Sequence, residues 1–218
     1  MNAVARTLSS KYEIILASSS PRRFEILTEQ MGFKDVIVMK PSFEEDLDKT
    51  LYHKKPLQYV QDTCLGKAHS IVHELKQQQN DQHSKPKLVI CADTVVIDHT
   101  DEIYEKPVYK ETQLKNLLKF TQSGKPMRVA TAVTIIRWTS AQDHQFESFY
   151  EVTEVFFDKE IPRTLIEMYV ESGDGLQVAG GFKVQGFSGC LISGINGDYY
   201  NVVGLPLNAT WKRLLAFE

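Results

Sequence analysis

The chain has 218 residues, 42% of them hydrophobic, which is enough to bury a sizeable core in one large domain or two small lobes. Its formal net charge of −3 excludes a global attraction to nucleic acid or to an acidic membrane surface, so any anion site must be local. We find no apolar secretory signal, no run of about 18 apolar residues, and three cysteines without metal-ligand spacing. We therefore expect a cytoplasmic protein with reduced core thiols, and no nucleic-acid or membrane partner.

The first half of the chain alternates between strand and helix patterns. Residues 13–17 predict a buried strand, and residues 21–30, which Gly32 ends, predict an amphipathic helix. A short strand at 36–39 leads to the acidic segment 42–48. A longer helix follows, whose apolar positions are Val60, Cys64, Ala68, Ile71 and Leu75.

The second half continues the alternation after an exposed polar connection at 76–87. The apolar run 87–98 predicts a central strand, and two β-branched and aromatic runs at 128–138 and 146–157 predict long neighbouring strands. Asn196-Gly197 favours a hairpin. The predicted helices are 111–124, closed by Gly124, then 161–173 and a terminal helix begun by Pro206. This alternation predicts an α/β sandwich.

The turn after the first strand has the composition of a phosphate site. Ser20 is a plausible N-cap, and Pro21 suits the first helical position. The hydroxyls of 18–20 add donors, and Arg22 and Arg23 offer charged bidentate contacts to phosphate oxygens. The alternative is an ordinary capped helix with two solvated arginines.

Two further residues are candidates for chemistry. Asp93 interrupts the apolar central strand, and a carboxylate there is costly unless it is paired, hydrogen-bonded or metal-bound. Its alternative role is to cap a neighbouring loop. Lys106, in the following loop, has the reach to contact a phosphate, although a single lysine of this kind is commonly a surface residue.

The acidic segment and a late glycine-rich run complete the candidates. Glu44 or Glu45 can lend a carboxylate to a divalent cation, although acidic loops are commonly just solvated. The glycines of 180–189 permit close backbone approach to a ligand, and the Gln185 amide can read a base edge. Hairpin glycines explain much of the same run, and it does not fit a dinucleotide fingerprint.

Five motifs in order make the chain resemble the Maf family of nucleoside triphosphate pyrophosphatases. They are ASSSPRR at 17–23, ADT at 92–94, EKP at 105–107, AGGFKVQG at 179–186 and GDYYNVVGLP at 197–206. The resemblance implies one domain over residues 10–218 with a fold of the Maf and inosine-triphosphatase type. That fold is an elongated mixed β-sheet flanked by helices, with two lobes around a nucleotide-binding cleft. It also implies hydrolysis of a nucleoside triphosphate to the monophosphate and pyrophosphate.

The resemblance assigns roles to particular residues. It implies that Asp93 is the general base and that Lys106 assists catalysis, while Mg²⁺ or Mn²⁺ is bound by Asp93 with Glu44 or Glu45. It implies a homodimer as well. The residues that it assigns to substrate binding are Ser18, Ser20, Arg22, Arg23, Lys67, Thr94 and Gln185.

Arg22, Thr94 and Gln185 stand at the positions where the subgroups of the family differ. This set resembles the subgroup acting on dTTP and UTP, and a Gln amide suits the N3–H and carbonyls of a pyrimidine. The chain departs from the family pattern at Cys91, Glu105 and Lys183, which bears on rate and substrate range. Two other functions stay open: a non-catalytic nucleotide-binding regulator of growth or division, and a nucleotidyltransferase, which would need an acceptor site.

Overall fold

A computed structural model describes residues 2–78 and 85–218 of the chain. Within them, seven strands form one open mixed sheet in the order β2-β1-β3-β5-β6-β7, with β4 paired to β3. The strands are β1 Glu13–Ala17, β2 Val36–Val38, β3 Lys87–Ile97, β4 Ile103–Tyr104, β5 Met127–Trp138, β6 His144–Phe157 and β7 Ile192–Asn196. β1 pairs in parallel with β2 and β3, and the other pairs are antiparallel.

Seven α-helices in the described residues flank the sheet. They are α1 Ala3–Lys11, α2 Pro21–Glu25, α3 Pro56–Gln77, α4 Lys110–Ser123, α5 Arg163–Glu171, α6 Tyr199–Val203 and α7 Leu207–Leu214. The predicted α/β fold with a mixed sheet is therefore confirmed, as is the pairing of the two long strands β5 and β6. None of these helices is both long enough and apolar enough to cross a membrane.

β3 divides the core because its side chains alternate between the two faces of the sheet. Its Val89 and Cys91 pack against α3, in a cluster that includes Val60 and Cys64. Its Leu88, Ile90 and Ala92 point to the opposite face, where the core contains residues of α1, of α7 and of the helical turn that follows α2. A third cluster joins the far part of the sheet to α4 and α5. β3 is thus buried on both faces, as its continuous apolar pattern predicted.

Several local predictions need correction. Asn196-Gly197 does not make a hairpin, because β7 ends there and Asp198 caps α6, accepting from the backbone N–H of Tyr200 at 2.7 Å. After α2 the helix continues as a short π-helix over Ile26–Gln30. Cys190 is exposed, whereas the other two cysteines are buried.

Part of the predicted polar connection, residues 79–84, lies outside the described residues. No pattern predicted α1, whose Ala5 and Leu8 are fully buried in the same core as β1. The single domain from residue 10 to residue 218 stays a prediction.

Candidate active site

A cavity of about 1030 Å³ lies where β1 and β3 meet α2, α3 and α6. The residues along its wall come from distant parts of the chain, including 17–23, 173–179 and 202–204. Its cationic side chains are Arg22, Arg23, Lys40, Lys67, Lys106 and Lys183, and its carboxylates are Glu45, Asp93, Glu105 and Asp174. Cations outnumber carboxylates here, although the whole chain is negatively charged. The cavity is therefore a local site for an anionic ligand.

The centre of the cavity is a buried ion pair between β3 and α3. Nζ of Lys67 lies 2.6 Å from Oδ1 of Asp93, and each residue is only 6% exposed. Asp93 follows Cys91 by two residues and so faces α3, while Lys67 follows Cys64 by three and lies on the buried face of that helix. The alternation of the strand and the period of the helix bring the two charges together.

Glu45 extends this pair toward the mouth of the cavity. Its Oε1 lies 2.8 Å from Nζ of Lys67, and its Oε2 lies 3.7 Å from Nζ of Lys106. Phe43, two residues before Glu45, reaches α3 at Gly66, where an added Cβ atom would overlap the Phe43 ring. The missing side chain at Gly66 thus lets the acidic segment lie against α3.

Burial and charge act in opposite directions on these groups. Burial raises the pKa of Asp93 above its ordinary value, and the attraction of Lys67 and Arg23 does not cancel that rise. Burial would lower the pKa of Lys67, but Asp93 and Glu45 outweigh it and hold that pKa above its ordinary value. Burial would likewise raise the pKa of Glu45, but Lys67 and Lys106 outweigh it and lower that pKa. Lys67 therefore stays cationic between two acids.

Arg23 organises the second side of the site. Its Nε donates to the carbonyl of Gly204 at 2.8 Å, and its two terminal nitrogens donate to Oγ of Ser18 at 3.1 Å and Oγ1 of Thr94 at 3.0 Å. Thr94 follows Asp93 along β3 and so points to the opposite face of the sheet. One planar guanidinium thereby ties together β1, β3 and the end of α6.

The remaining residues of the serine turn have weaker internal contacts. Ser20 caps α2, accepting from the backbone N–H of Arg23 at 3.5 Å. Nε of Arg22 donates to the carbonyl of Val203 at 3.3 Å. Burial and then the neighbouring Arg23 lower the pKa of Arg22, but an arginine remains charged at neutral pH. The Arg22 guanidinium lines the cavity with donors left for a ligand.

The donor set fits one kind of metal ion. In the described residues no group of three or more His, Cys, Asp and Glu side chains is placed to hold a metal. Asp93 and Glu45 each contact Nζ of Lys67 through one oxygen, so the second oxygen of each carboxylate is left for a cation. Two carboxylates suit Mg²⁺, which commonly keeps several waters and takes substrate phosphates as its other ligands. The pair therefore fits Mg²⁺ or Mn²⁺ brought with a triphosphate better than a cage made by the protein alone.

A protein-family model described as "Maf-like protein" matches residues 13–217. The chain belongs to the Maf family. A "dTTP/UTP pyrophosphatase" of Saccharomyces cerevisiae is 51% identical to this Maf chain over 213 residues, covering 96% of it and 92% of the relative. A "dTTP/UTP pyrophosphatase" of Schizosaccharomyces pombe is 40% identical, covering 95% of this chain and 84% of the relative.

A human relative is longer than this Maf chain. It is named "Probable bifunctional dTTP/UTP pyrophosphatase/methyltransferase protein" and is 37% identical over 206 residues. These residues cover 93% of this chain but 31% of the human protein. The similarity to this relative is thus confined to a minor part of it.

Most of the predicted site residues of the Maf chain line one cavity. They are Ser18, Ser20, Arg22, Arg23, Glu45, Lys67, Asp93, Thr94 and Lys106. Two do not: Glu44 and Gln185 are exposed and do not contribute to the wall. Of the two acidic alternatives, only Glu45 therefore lies beside Asp93 and Lys67.

Other polar residues of the cavity wall carried no prediction. Lys40, Asp174 and Gln177 line it, and nothing in the sequence around them distinguishes them from exposed polar residues. Lys67 is recognisable from the helical pattern, because a lysine within the apolar face of α3 needs a buried partner for its charge. Tyr59, on the same face, is likewise a buried residue with a polar group to satisfy.

Proposed function

We propose that the chain hydrolyses dTTP and UTP, and modified pyrimidine triphosphates, to the nucleoside monophosphate and pyrophosphate. The names of the Maf relatives support this substrate class. The observation that carries the proposal is the buried Lys67, held between Asp93 and Glu45 at one wall of a cationic cavity. A site of this kind combines phosphate binding with a carboxylate of raised pKa, a combination that favours hydrolysis of an anhydride. The role of the protein would be to remove surplus or non-standard nucleotides.

In this proposal the cavity binds the triphosphate through distributed positive charge. Lys106, at the mouth, and Arg22, in the first turn of α2, contact phosphate oxygens directly. Ser18 and Ser20 add hydroxyl donors, while Arg23 fixes the position of this wall by its three hydrogen bonds. Because Arg23 holds this wall before substrate arrives, little reorganisation of the wall accompanies the reaction.

Asp93 is the proposed general base. Its carboxylate takes the proton of the water that attacks phosphorus, and the P–O bond of the pyrophosphate leaving group breaks. Its raised pKa makes it a better proton acceptor than an exposed aspartate. Lys67 keeps the carboxylate oriented and compensates its charge. Lys106 compensates charge on the phosphate oxygens as the bond breaks.

Asp93 and Glu45 are the proposed ligands of Mg²⁺ or Mn²⁺. When bound, the ion would neutralise charge on the phosphates and lower the pKa of coordinated water. Glu44 is not proposed as a ligand, since its side chain lies outside the cavity wall.

Base selection is proposed to involve Arg22, Thr94 and Gln185. The first two lie in the cavity wall. Gln185 lies outside that wall, so its proposed role rests on the family resemblance alone. We also propose a homodimer, a cytoplasmic location and one domain over residues 10–218. The domain proposal is supported by the match of the family model to 13–217.

The test is a panel of nucleoside triphosphates incubated with Mg²⁺ or Mn²⁺, with pyrophosphate and orthophosphate measured separately. We expect pyrophosphate from dTTP and UTP, and none from Asp93→Asn, which should still bind dTTP. Asp46→Asn is the matched control, because Asp46 lies in the acidic segment, is exposed and does not line the cavity. Orthophosphate as the main product would overturn the proposal.

The same panel separates the other functions. Binding without turnover in any nucleotide would favour the nucleotide-binding regulator. Release of pyrophosphate only when an acceptor is added to the water would favour the nucleotidyltransferase. Reaction in ¹⁸O-labelled water, with the label recovered in the monophosphate, would establish attack at the α-phosphorus.

A further inference from the structure

A second ionic network lies behind the mouth of the cavity and is centred on Glu105. The hydroxyl of Tyr59 donates to Oε1 of Glu105 at 2.6 Å, and Nζ of Lys49 pairs with Oε2 of the same carboxylate. Tyr59 belongs to α3 and is 1% exposed. Lys49 begins the short 3₁₀-helix Lys49–Tyr52, which follows the acidic segment. The Glu105 carboxylate thus joins α3, the 3₁₀-helix that follows the acidic segment, and the loop that carries Lys106.

The backbone of that loop is also held in an unusual conformation. Its Glu105 carbonyl accepts from the N–H of Gly180 at 3.0 Å, and the N–H of Val108 donates to the carbonyl of Leu176 at 3.1 Å. Val108 has a φ of 65°, a left-handed conformation that a β-branched residue rarely adopts. Such a conformation persists only where the surroundings fix it. The backbone of the loop is therefore held both before and after Lys106.

Lys106 itself has little to fix its position. Its side chain is 51% exposed, and its ion pair with Glu45 has an N–O distance of 3.7 Å. A lysine ammonium on a long flexible stem reaches a defined point only if the backbone that carries it is placed well. The side chain of the neighbouring Glu105 attaches this backbone to Tyr59 by a hydrogen bond and to Lys49 by an ion pair.

We propose that Glu105 is a positioning residue, which acts through Lys106 by anchoring its loop to Tyr59 and Lys49. The inference rests on the proposed pyrophosphatase function. Lys49 also balances the charge of Glu105, so that the carboxylate lies near a bound triphosphate without adding net negative charge. Tyr59 and Lys49 are placed to share this role, although neither lines the cavity.

The test is a double-mutant cycle between Tyr59→Phe and Lys106→Met, with kcat and KM for dTTP measured in all four proteins. In the wild-type background we expect Tyr59→Phe to lower kcat by about tenfold, because a small misplacement of a catalytic group is costly. In the Lys106→Met background it should cause no further loss. Equal losses in both backgrounds, or no loss in the first, would overturn the positioning role.

Three other variants separate positioning from a general loss of structure. Tyr52→Phe is the matched control, because it removes only a hydroxyl that donates at 3.0 Å to Asp62 and keeps the edge-on packing of this ring on Tyr59, so kcat should stay at the wild-type value. Glu105→Gln keeps an acceptor for Tyr59 and should retain more activity than Glu105→Ala. Equal kinetics for these two Glu105 variants would count against the proposal.

Failure of the enzyme proposal would look different. In that case the wild-type chain releases no pyrophosphate from any triphosphate. The same cycle is then measured as calorimetric affinity for dTTP. Additive effects of Tyr59→Phe and Lys106→Met on affinity would overturn the positioning role independently, and non-additive effects would support it.

Discussion

Nζ of Lys67 and Oδ1 of Asp93 are 2.6 Å apart, and both side chains are buried between β3 and α3. Glu45 also contacts this ammonium, at 2.8 Å, so that one cation serves two carboxylates. Removing it would leave the two acids facing each other without compensation. The pair therefore couples the stability of the fold to the proposed chemistry.

Lys67→Met should destabilise the chain by about 3–5 kcal/mol, because it leaves a buried carboxylate unpaired. Urea unfolding followed by circular dichroism measures the change. Lys106→Met is the matched control, since Lys106 is half-exposed and its removal should cost no more than about 1 kcal/mol. Equal stability of wild type and Lys67→Met would contradict this interpretation.

The pH dependence of kcat should report on Asp93. Its base form is lost as the pH falls through its pKa, and burial places that pKa above the ordinary aspartate value of about 3.9. Activity should therefore decline at a higher pH than an exposed aspartate would cause. Nearby cations lower this pKa, so Arg23→Ala or Lys67→Met should move the acid limb to still higher pH. An acid limb that does not move in either variant would exclude Asp93 as its source.

Glu45→Gln and Glu44→Gln form a matched pair of neighbouring substitutions. Of these two residues only Glu45 contacts Lys67 and Lys106, so removal of its charge should lower kcat/KM by about tenfold to a hundredfold. The Mg²⁺ concentration needed for half-maximal activity should rise in the same variant. Glu44→Gln should match the wild type in both respects. Similar losses in both variants would show that the acidic segment acts through its overall charge.

Arg23→Ala should raise KM for dTTP and lower kcat, because three hydrogen bonds that join the cavity walls disappear. Arg23→Lys should rescue little, since an ammonium cannot reproduce the planar geometry of those donors. Steady-state kinetics and thermal unfolding of both variants measure this. Full activity in Arg23→Lys would show that charge alone, rather than the guanidinium fork, maintains the site.

Gly66→Ala tests how the acidic segment is placed. Alanine favours a helix interior over glycine by about 0.5–1 kcal/mol, so stability should change little or increase. The new methyl group would overlap the Phe43 ring and displace the segment that carries Glu45. Activity should therefore fall without loss of stability. Phe43→Leu in the same chain relieves the overlap, and it should restore part of the activity.

Local chemistry allowed much of this site to be predicted from sequence. The order serine, proline and two arginines after β1 predicted the capped turn, and an aspartate within an apolar run predicted a buried charge beside a partner. The sequence did not identify the partner of Asp93 by pattern. Lys67 is far from it in the chain, and only the packing of α3 on β3 brings them together.

The missed features depend on such long-range packing. Glu44 and Glu45 are equivalent in composition, and only the fold shows that Glu45 contacts Lys67, on a segment whose Phe43 lies against Gly66. Asn196-Gly197 has the composition of a hairpin turn, but the Asp198 side chain caps a helix instead. Gln185 is exposed and lies outside the cavity wall, although Phe182 and Lys183 of the same glycine-rich run line it.

β3 pairs along its whole length with β5 and, through its first five residues, with β1. Asp93 therefore lies on a strand whose amides should be among the slowest in the chain to exchange with solvent. Lys106 and Glu45, on irregular segments, can fluctuate locally while that strand remains intact. Slow motions that admit a nucleotide and release pyrophosphate would then involve the rim of the cavity, whereas Asp93, the proposed base, would lose its place only when the sheet itself unfolds.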